Sequence, residues 1–269
     1  MDNRPIGVFD SGLGGLTVVK EIKKLLPKEK IVYLGDTARV PYGTRSKETI
    51  IEFAIEDVNF LLKNNVKCVV IACNSVSSVA SDILKQKFKI PIFDVISPTC
   101  EYVTKKAGIR KIGVIGTSAT IKSNTYKNSI NKLNNKIDVF QNKAPLLVPL
   151  VEEGEGKSFF AYQIVEKYLK PLINKNVEIV ILGCTHYPIL LPVINKILSN
   201  KIEIIDPAKF VSKYLKAYLK ERNLLSDGKM SFVDFFAVTD LTDGFLGQLK
   251  IFFPKYSKSN LVKVSLTKR

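Results

Sequence analysis

The chain has 269 residues, and its hydrophobic fraction of 46% and charged fraction of 25% are those of a globular protein, not of a disordered or fibrous one. No apolar run reaches the ~20 residues that a membrane-spanning helix needs and no signal peptide is visible, so we expect a cytoplasmic protein without a membrane partner. The net charge is +16, and 35 of the 41 basic residues are lysines scattered along the chain. Because nucleic-acid recognition favours arginine, we expect no nucleic-acid partner.

Short runs rich in Val and Ile alternate along the chain with longer segments of helical periodicity. The runs predict buried parallel strands at residues 6–9, 31–34, 68–72, 92–95, 112–115, 177–182 and 202–205. The helical patterns cover residues 15–26, 47–64, 76–88, 98–107, 120–134, 158–174, 188–199 and 207–222. This alternation predicts an α/β fold in which parallel sheets are flanked by helices.

Three segments of the first half recur in the same order in the second half. The repeated segments are residues 6–8 and 112–114, residues 69–75 and 180–186, and the single residues Asp94 and Asp206. Nearly constant spacing indicates a duplicated unit, so we expect two pseudo-symmetric lobes with the active site in the cleft between them. We assign residues 1–97 and 207–269 to the first lobe, and residues 98–206 to the second.

Two glycine-rich stretches resemble phosphate-binding loops without matching them. Residues 10–15 follow the first predicted strand but lack the spacing of a dinucleotide site, so we expect their backbone N–H groups to bind a small carboxylate. Residues 154–158 end like a P-loop, but Val151 stands where that motif requires glycine. Neither stretch predicts a nucleotide cofactor.

Cys73 and Cys184 are the strongest chemical signal, because each ends an equivalent strand of the two repeats. Polar pairs follow them at residues 74–75 and 185–186, where ligands of α/β sheets bind. Two thiols that face each other across a cleft suit the inversion of a stereocentre. One removes a proton from carbon while the other delivers a proton to the opposite face. We expect the N-termini of the helices that follow to favour the thiolate form.

The other cysteines and the one histidine argue against competing chemistries. Cys68 lies within a strand and Cys100 on a helix, where buried thiols are inert. The chain has no CxxC pair, which argues against a thiol redox protein. Its one histidine, His186, does not supply a zinc site. We therefore expect no metal.

Five segments of the chain resemble the glutamate racemases, enzymes that make D-glutamate for peptidoglycan. The matching segments, in family order, are residues 6–17, 33–43, 72–75, 148–152 and 182–188. The resemblance covers residues from about 5 to 210. It implies a two-lobed α/β isomerase that interconverts L- and D-glutamate by two-base proton transfer, with no pyridoxal phosphate or other cofactor. It leaves a homodimer open.

The resemblance also implies a role for particular residues. Cys73 takes the α-proton from D-glutamate and Cys184 takes it from L-glutamate, while Asp10, His186 and Glu152 assist. The implied substrate contacts are Asp10, Ser11, Tyr42, Gly43, Asn74, Ser75, Thr185 and His186.

Three points of this comparison stay open. Ser75 stands where the family usually has threonine, and it keeps the hydroxyl. Glu153 beside Glu152 leaves the assisting acid uncertain by one position, and Asp36 could orient a loop or bind the substrate ammonium. The alternatives to a glutamate racemase are an aspartate racemase, which differs in pocket length, and a non-catalytic protein that binds acidic amino acids.

Overall fold

Strands and helices alternate along the chain in the computed structural model, which describes residues 1–199, 201–229, 233–254 and 260–266. The strands are β1 Ile6–Asp10, β2 Ile31–Gly35, β3 Cys68–Ile71, β4 Ile92–Asp94, β5 Lys111–Gly116, β6 Asp138–Lys143, β7 Ile179–Gly183, β8 Glu203–Ile205, β9 Phe235–Val238 and β10 Leu261–Lys263. β1, β2, β3 and β7 are buried along their whole length, which explains why they are continuous apolar runs in the sequence.

The helices connect and cover these strands. They are α1 Gly15–Leu25, α2 Lys47–Lys63, α3 Asn74–Val79, α4 Ser81–Lys87, α5 Ile96–Thr104, α6 Ser118–Lys122, α7 Thr125–Leu133, α8 Leu147–Glu152, α9 Phe159–Ile173, α10 Leu191–Leu198, α11 Pro207–Glu221 and α12 Asp243–Phe252. Ser46, Ser158 and Thr242 begin α2, α9 and α12 by accepting a hydrogen bond from the N–H three residues later. Short 3₁₀ helices cover Thr37–Arg39, Tyr42–Thr44 and Tyr187–Leu190.

The strands form two parallel sheets. One has the order β10-β9-β2-β1-β3-β4 and the other has the order β6-β5-β7-β8. The order β2-β1-β3-β4 in the first lobe is therefore repeated as β6-β5-β7-β8 in the second, as the repeated sequence segments predict. The predicted two-lobed α/β fold with parallel sheets is confirmed.

The last part of the described chain returns to the first lobe. β9 and β10 extend the first sheet beyond β2, and α11 packs against α1 and α5. A buried ion pair joins Lys67 Nζ and Glu29 Oε2 at 2.6 Å, and the same Nζ donates to the carbonyl oxygen of Leu224. The lobe boundaries near residues 97 and 206 stay a prediction.

Sequence periodicity fails where elements are short, polar or interrupted. It does not predict β6, α8, β9, α12 or β10; β6 is an edge strand whose residues are half-buried or exposed. The predicted helix over residues 120–134 is α6 and α7, separated by Asn124 with a φ of 55°. The predicted helix over residues 76–88 is likewise divided into α3 and α4. None of the helices in the described ranges combines the length and apolar character that a membrane crossing requires.

Candidate active site

Residues that follow β1, β3, β5 and β7 line one cavity between the lobes, at the carboxyl ends of both sheets. The lining residues are Ser11, Pro41, Tyr42, Gly43, Cys73, Asn74, Ser75, Thr117, Val148, Cys184, Thr185 and His186. The cavity is nearly closed, with about 10 Å³ free for the centre of a water molecule. That space is about the size of one water molecule.

Cys73 follows β3 and directly precedes α3. Its side chain is buried, and its Sγ lies 3.8 Å from the Oγ of Ser11. Burial and the nearby Asp10 carboxylate raise the pKa of the Cys73 thiol to about 12, although the backbone N–H of Val76 favours the thiolate. The start of α3 therefore acts in favour of the thiolate, while burial opposes it.

Cys184 follows β7 and contacts a histidine. Its Sγ lies 3.8 Å from Nδ1 of His186, whose Nε2 lies 2.6 Å from Oε1 of Glu152. Burial alone would lower the pKa of His186, but Cys184 and Glu152 together raise it well above its ordinary value. The imidazole therefore lies between the Cys184 sulfur and the Glu152 carboxylate, and both of these groups favour its protonated form. Glu152, and not Glu153, makes this contact.

Asp10 ends β1 and is fully buried. Its Oδ2 accepts hydrogen bonds from the backbone N–H groups of Gly12 at 3.1 Å and Gly15 at 2.9 Å, and its Oδ1 accepts one from Thr185 Oγ1 at 3.2 Å. Burial raises the pKa of Asp10, while the charge of His186 and these donors act in the opposite direction. The two glycine N–H groups are therefore directed to Asp10, and the carboxylate nest that the sequence predicts at residues 10–15 is occupied by this side chain.

The glycines of this loop allow the second lobe to approach closely. A Cβ on Gly14 would collide with Thr185 and His186, and a Cβ on Gly12 would lie 2.8 Å from Oε1 of Glu152. Side chains at these positions would therefore push the lobes apart at the site.

The opposite wall joins the lobes through side chains. The hydroxyls of Ser75 and Thr117 lie 2.9 Å apart, and Tyr126 donates a 2.7 Å hydrogen bond to Oδ1 of Asn74. A Cβ on Gly43 would collide with Thr117, so the loop after Pro41 also touches the second lobe here.

The structure brings the predicted site residues together. All of them line the cavity except Asp10 and Glu152, which contact it through Thr185 and His186. Pro41, Thr117 and Val148 also line the cavity but are not among the predicted site residues, although Pro41 and Val148 lie within the matching segments. Thr117 follows β5 as Ser11 follows β1, so the repeat itself contains a signal for it.

The arrangement offers two thiols and a histidine at one nearly closed space, with the carboxyl groups of Asp10 and Glu152 behind them. Within the described ranges, no group of three or more His, Cys, Asp or Glu side chains is arranged to hold a metal ion. What the site can do chemically is move protons at an atom held between the two sulfur atoms.

Known proteins share the whole architecture. A sequence profile described as Asp/Glu/Hydantoin racemase matches residues 6–214. "Glutamate racemase 2" of Caldanaerobacter subterraneus is 44% identical over 243 residues, which cover 89% of this chain and 90% of that protein. "Glutamate racemase" of Thermoanaerobacter pseudethanolicus is 42% identical over 240 residues, with coverage of 89% and 90%.

A solved glutamate racemase structure is also similar to this chain over almost its whole length. The glutamate racemase of Francisella tularensis in complex with D-glutamate superimposes with a TM-score of 0.91 at 42% identity, and the match covers 99% of each chain. The amino-acid racemases are isomerases, and the assignment to them made from the sequence is confirmed. The chain belongs to the Asp/Glu/Hydantoin racemase family.

Proposed function

We propose that this racemase interconverts L- and D-glutamate through Cys73 and Cys184, without pyridoxal phosphate. The observation that carries the proposal is that the two thiols end equivalent strands of the two lobes and line one cavity. The relatives described above are named glutamate racemases, and the Francisella tularensis enzyme holds D-glutamate. Both facts support glutamate as the substrate.

The reaction consists of two proton transfers on opposite faces of the α-carbon. With L-glutamate, the Cys184 thiolate takes the α-proton: the Cα–H bond breaks, an S–H bond forms, and the electron pair stays on the substrate as a carbanion. Cys73 then breaks its own S–H bond and gives that proton to the opposite face. The product is D-glutamate, and Cys73 is left as the thiolate. The two thiols exchange roles for D-glutamate.

Three side chains support these transfers. The His186 cation beside Cys184 stabilises the thiolate, and Glu152 holds the imidazole at its other nitrogen. Asp10 lies behind Thr185 and acts on the cavity through the electrostatic field and that hydroxyl. We assign these three residues to positioning and charge balance.

The remaining cavity residues bind the substrate and stabilise the carbanion. Hydroxyl and amide groups of Ser11, Asn74, Ser75 and Thr185 line the space, and Tyr42 and Gly43 close one side. Donors fixed in a site without bulk water stabilise developing charge far better than water does. This environment replaces the electron sink that a cofactor would supply.

The biological role follows from the product. We include in the proposal that the enzyme works in the cytoplasm and supplies D-glutamate for peptidoglycan. The homodimer stays open.

Circular dichroism of L-glutamate incubated with the pure protein, without pyridoxal phosphate, tests the proposal. We expect the signal to decay to zero as the racemic mixture forms. Cys73→Ser and Cys184→Ser are the matched controls, since each swap is nearly isosteric and replaces a thiol by a much weaker acid. Each should lower kcat by at least about 10³-fold and leave the fold unchanged.

The other outcomes identify the alternatives. Full activity in either serine variant would exclude the two-thiol mechanism. Decay of the signal with L-aspartate but not with L-glutamate would make the protein an aspartate racemase. Binding of glutamate without any decay would make it a binding protein.

A further inference from the structure

A buried polar cluster lies behind the Tyr42 wall of the cavity. The Tyr42 hydroxyl donates to Oδ2 of Asp36 and also lies 3.2 Å from Oδ2 of Asp57. Asp36 precedes the first 3₁₀ helix, and Asp57 lies on α2. All three side chains are fully buried. One phenol oxygen is therefore placed between two carboxyl groups that have no contact with solvent.

One arginine faces this cluster, and neither of its hydrogen bonds goes to Asp57. Arg39 donates through Nε to Asp36 at 2.5 Å and through Nη1 to Glu56 at 2.5 Å. Its Nη2 lies 3.7 Å from Oδ1 of Asp57, which is too long for a hydrogen bond. Within the described part of the chain, neither of these two atoms has a hydrogen-bond partner. Arg39 therefore hydrogen-bonds to Asp36 and Glu56 and meets Asp57 only as an ion pair at 3.7 Å.

Proton counting decides the state of the cluster. A phenol carries one proton, so Tyr42 cannot donate to Asp36 and Asp57 at once. If Asp57 were ionised, it would be a buried carboxylate with no hydrogen-bond donor, which is a costly arrangement. A protonated Asp57 removes the difficulty, because it supplies the missing donor to the Tyr42 oxygen.

The charged groups that face Asp57 on balance also favour its protonated form. Burial and the Asp36 carboxylate raise the pKa of Asp57 well above its ordinary value, and Glu56 adds to this, whereas Arg39 and Tyr42 act in the opposite direction. The geometry and the charges thus agree on a neutral acid.

We propose that Asp57 is a neutral carboxylic acid that donates a hydrogen bond to Tyr42, and that the chain Asp57–Tyr42–Asp36 is the positioning unit for the Tyr42–Gly43 wall of the site. This inference rests on the proposed function, because the wall has a role only if the cavity binds substrate. The narrowness of the cavity gives the wall its influence, because only about 10 Å³ is free for the centre of a water molecule and Gly43 lies against Thr117 of the other lobe.

Infrared difference spectroscopy tests the proton directly. The spectrum of the wild type minus that of Asp57→Asn, both folded and at pH 7, should contain the C=O stretch of a protonated carboxylic acid. A difference that contains only carboxylate bands would overturn the inference. Glu56→Gln is the matched control on the same helix and the same arginine, and it should leave the protonated band in place. This measurement needs no activity, so it decides the point even if the proposed function fails.

Steady-state kinetics test the positioning role. Asp57→Asn keeps a neutral donor, so KM for both enantiomers should stay within about twofold of the wild type. Asp57→Leu removes the donor, and KM should rise about three- to tenfold for both, the effect of one lost hydrogen bond, while kcat changes less. If Asp57→Leu does not fold, Tyr42→Phe takes its place with the same expectation. Wild-type KM values in the folded variants that lack the hydrogen bond would overturn the positioning role.

Discussion

The two cysteines lie in opposite electrostatic settings at the level of single residues. Burial and Asp10 raise the pKa of Cys73 to about 12, so this sulfur holds its proton at neutral pH. Cys184 instead faces His186, whose Nε2 contacts Glu152. Under the proposed mechanism, this arrangement fits the direction from L- to D-glutamate, in which Cys184 is the base and Cys73 is the acid.

Replacing His186 by Asn should therefore slow the two directions unequally. We expect kcat from L- to D-glutamate to fall about 10- to 100-fold, and kcat from D to L to fall less, since the lost cation supports the Cys184 thiolate. The equilibrium constant between enantiomers is one, so KM must change in compensation. Initial rates measured from each pure enantiomer check this, with Glu152→Gln as the milder control. An equal loss in both kcat values would assign His186 to binding or structure.

The residues that the sequence singles out and that lie around the cavity belong to a motif or to the repeat. Cys73, Cys184 and their polar neighbours are of this kind. Asp57 gives no such signal, because its importance arises from Tyr42 and Asp36, which come close only when α2 packs on the first sheet. A buried contact between separate elements is a property of the packing and not of either segment.

At the level of elements, the repeat is visible in two equivalent aspartates that begin the helices α5 and α11. Asp94 ends β4 and bonds to the N–H groups that begin α5, while Asp206 follows β8 and caps α11 through the N–H of Ala208. Their pKa values are shifted in opposite directions. Burial would raise the pKa of Asp94, but Lys85 at 2.7 Å lowers it below its ordinary value. Burial raises the pKa of Asp206 to about 6.

These equivalent caps should respond to the same substitution with opposite signs. The pKa of Asp206 is higher in the folded chain, so its stabilising contribution is present below pH 3.8 and is lost as pH rises through about 6. Asp206→Asn keeps the cap and should raise the free energy of unfolding at pH 8 by up to about 3 kcal/mol, with little effect near pH 4.

Asp94→Asn is the matched comparison. Its folded pKa is lowered, so its contribution is present at neutral pH and is lost as pH falls. The substitution should therefore destabilise the protein at pH 8. Urea unfolding of both variants at pH 4.5 and pH 8 measures the difference, and destabilisation by Asp206→Asn at pH 8 would contradict the assignment.

The predictability of the elements follows from their burial. A central strand such as β1 is covered on both faces and must be apolar throughout, so the sequence reveals it. β6 lies at a sheet edge and has polar residues facing solvent, so it has no such signature. The break between α6 and α7 depends on one left-handed residue, Asn124, which periodicity alone does not locate.

At the level of the whole molecule, hydrogen bonds between the two lobes close the site. Thr185 of the second lobe donates to Asp10 of the first, and Ser75 of the first pairs with Thr117 of the second at 2.9 Å. Ser75, Thr117 and Thr185 also line the cavity, so in the proposed function the groups that close the site are those that face the substrate. The duplicated lobes thereby place one thiol on each side of a space that bulk water does not fill.

Racemisation in D₂O tests this two-sided geometry. If separate thiols flank the α-carbon, the proton that arrives on the product comes from a sulfur that has exchanged with solvent. D-glutamate formed from L-glutamate should then carry deuterium at Cα from the earliest turnovers, while the remaining L-glutamate stays mostly protonated. Proton NMR of the separated enantiomers at low conversion measures both. A single base would return part of the abstracted proton to the product, so substantial protium in early D-glutamate would exclude the two-thiol mechanism even if both cysteines proved essential.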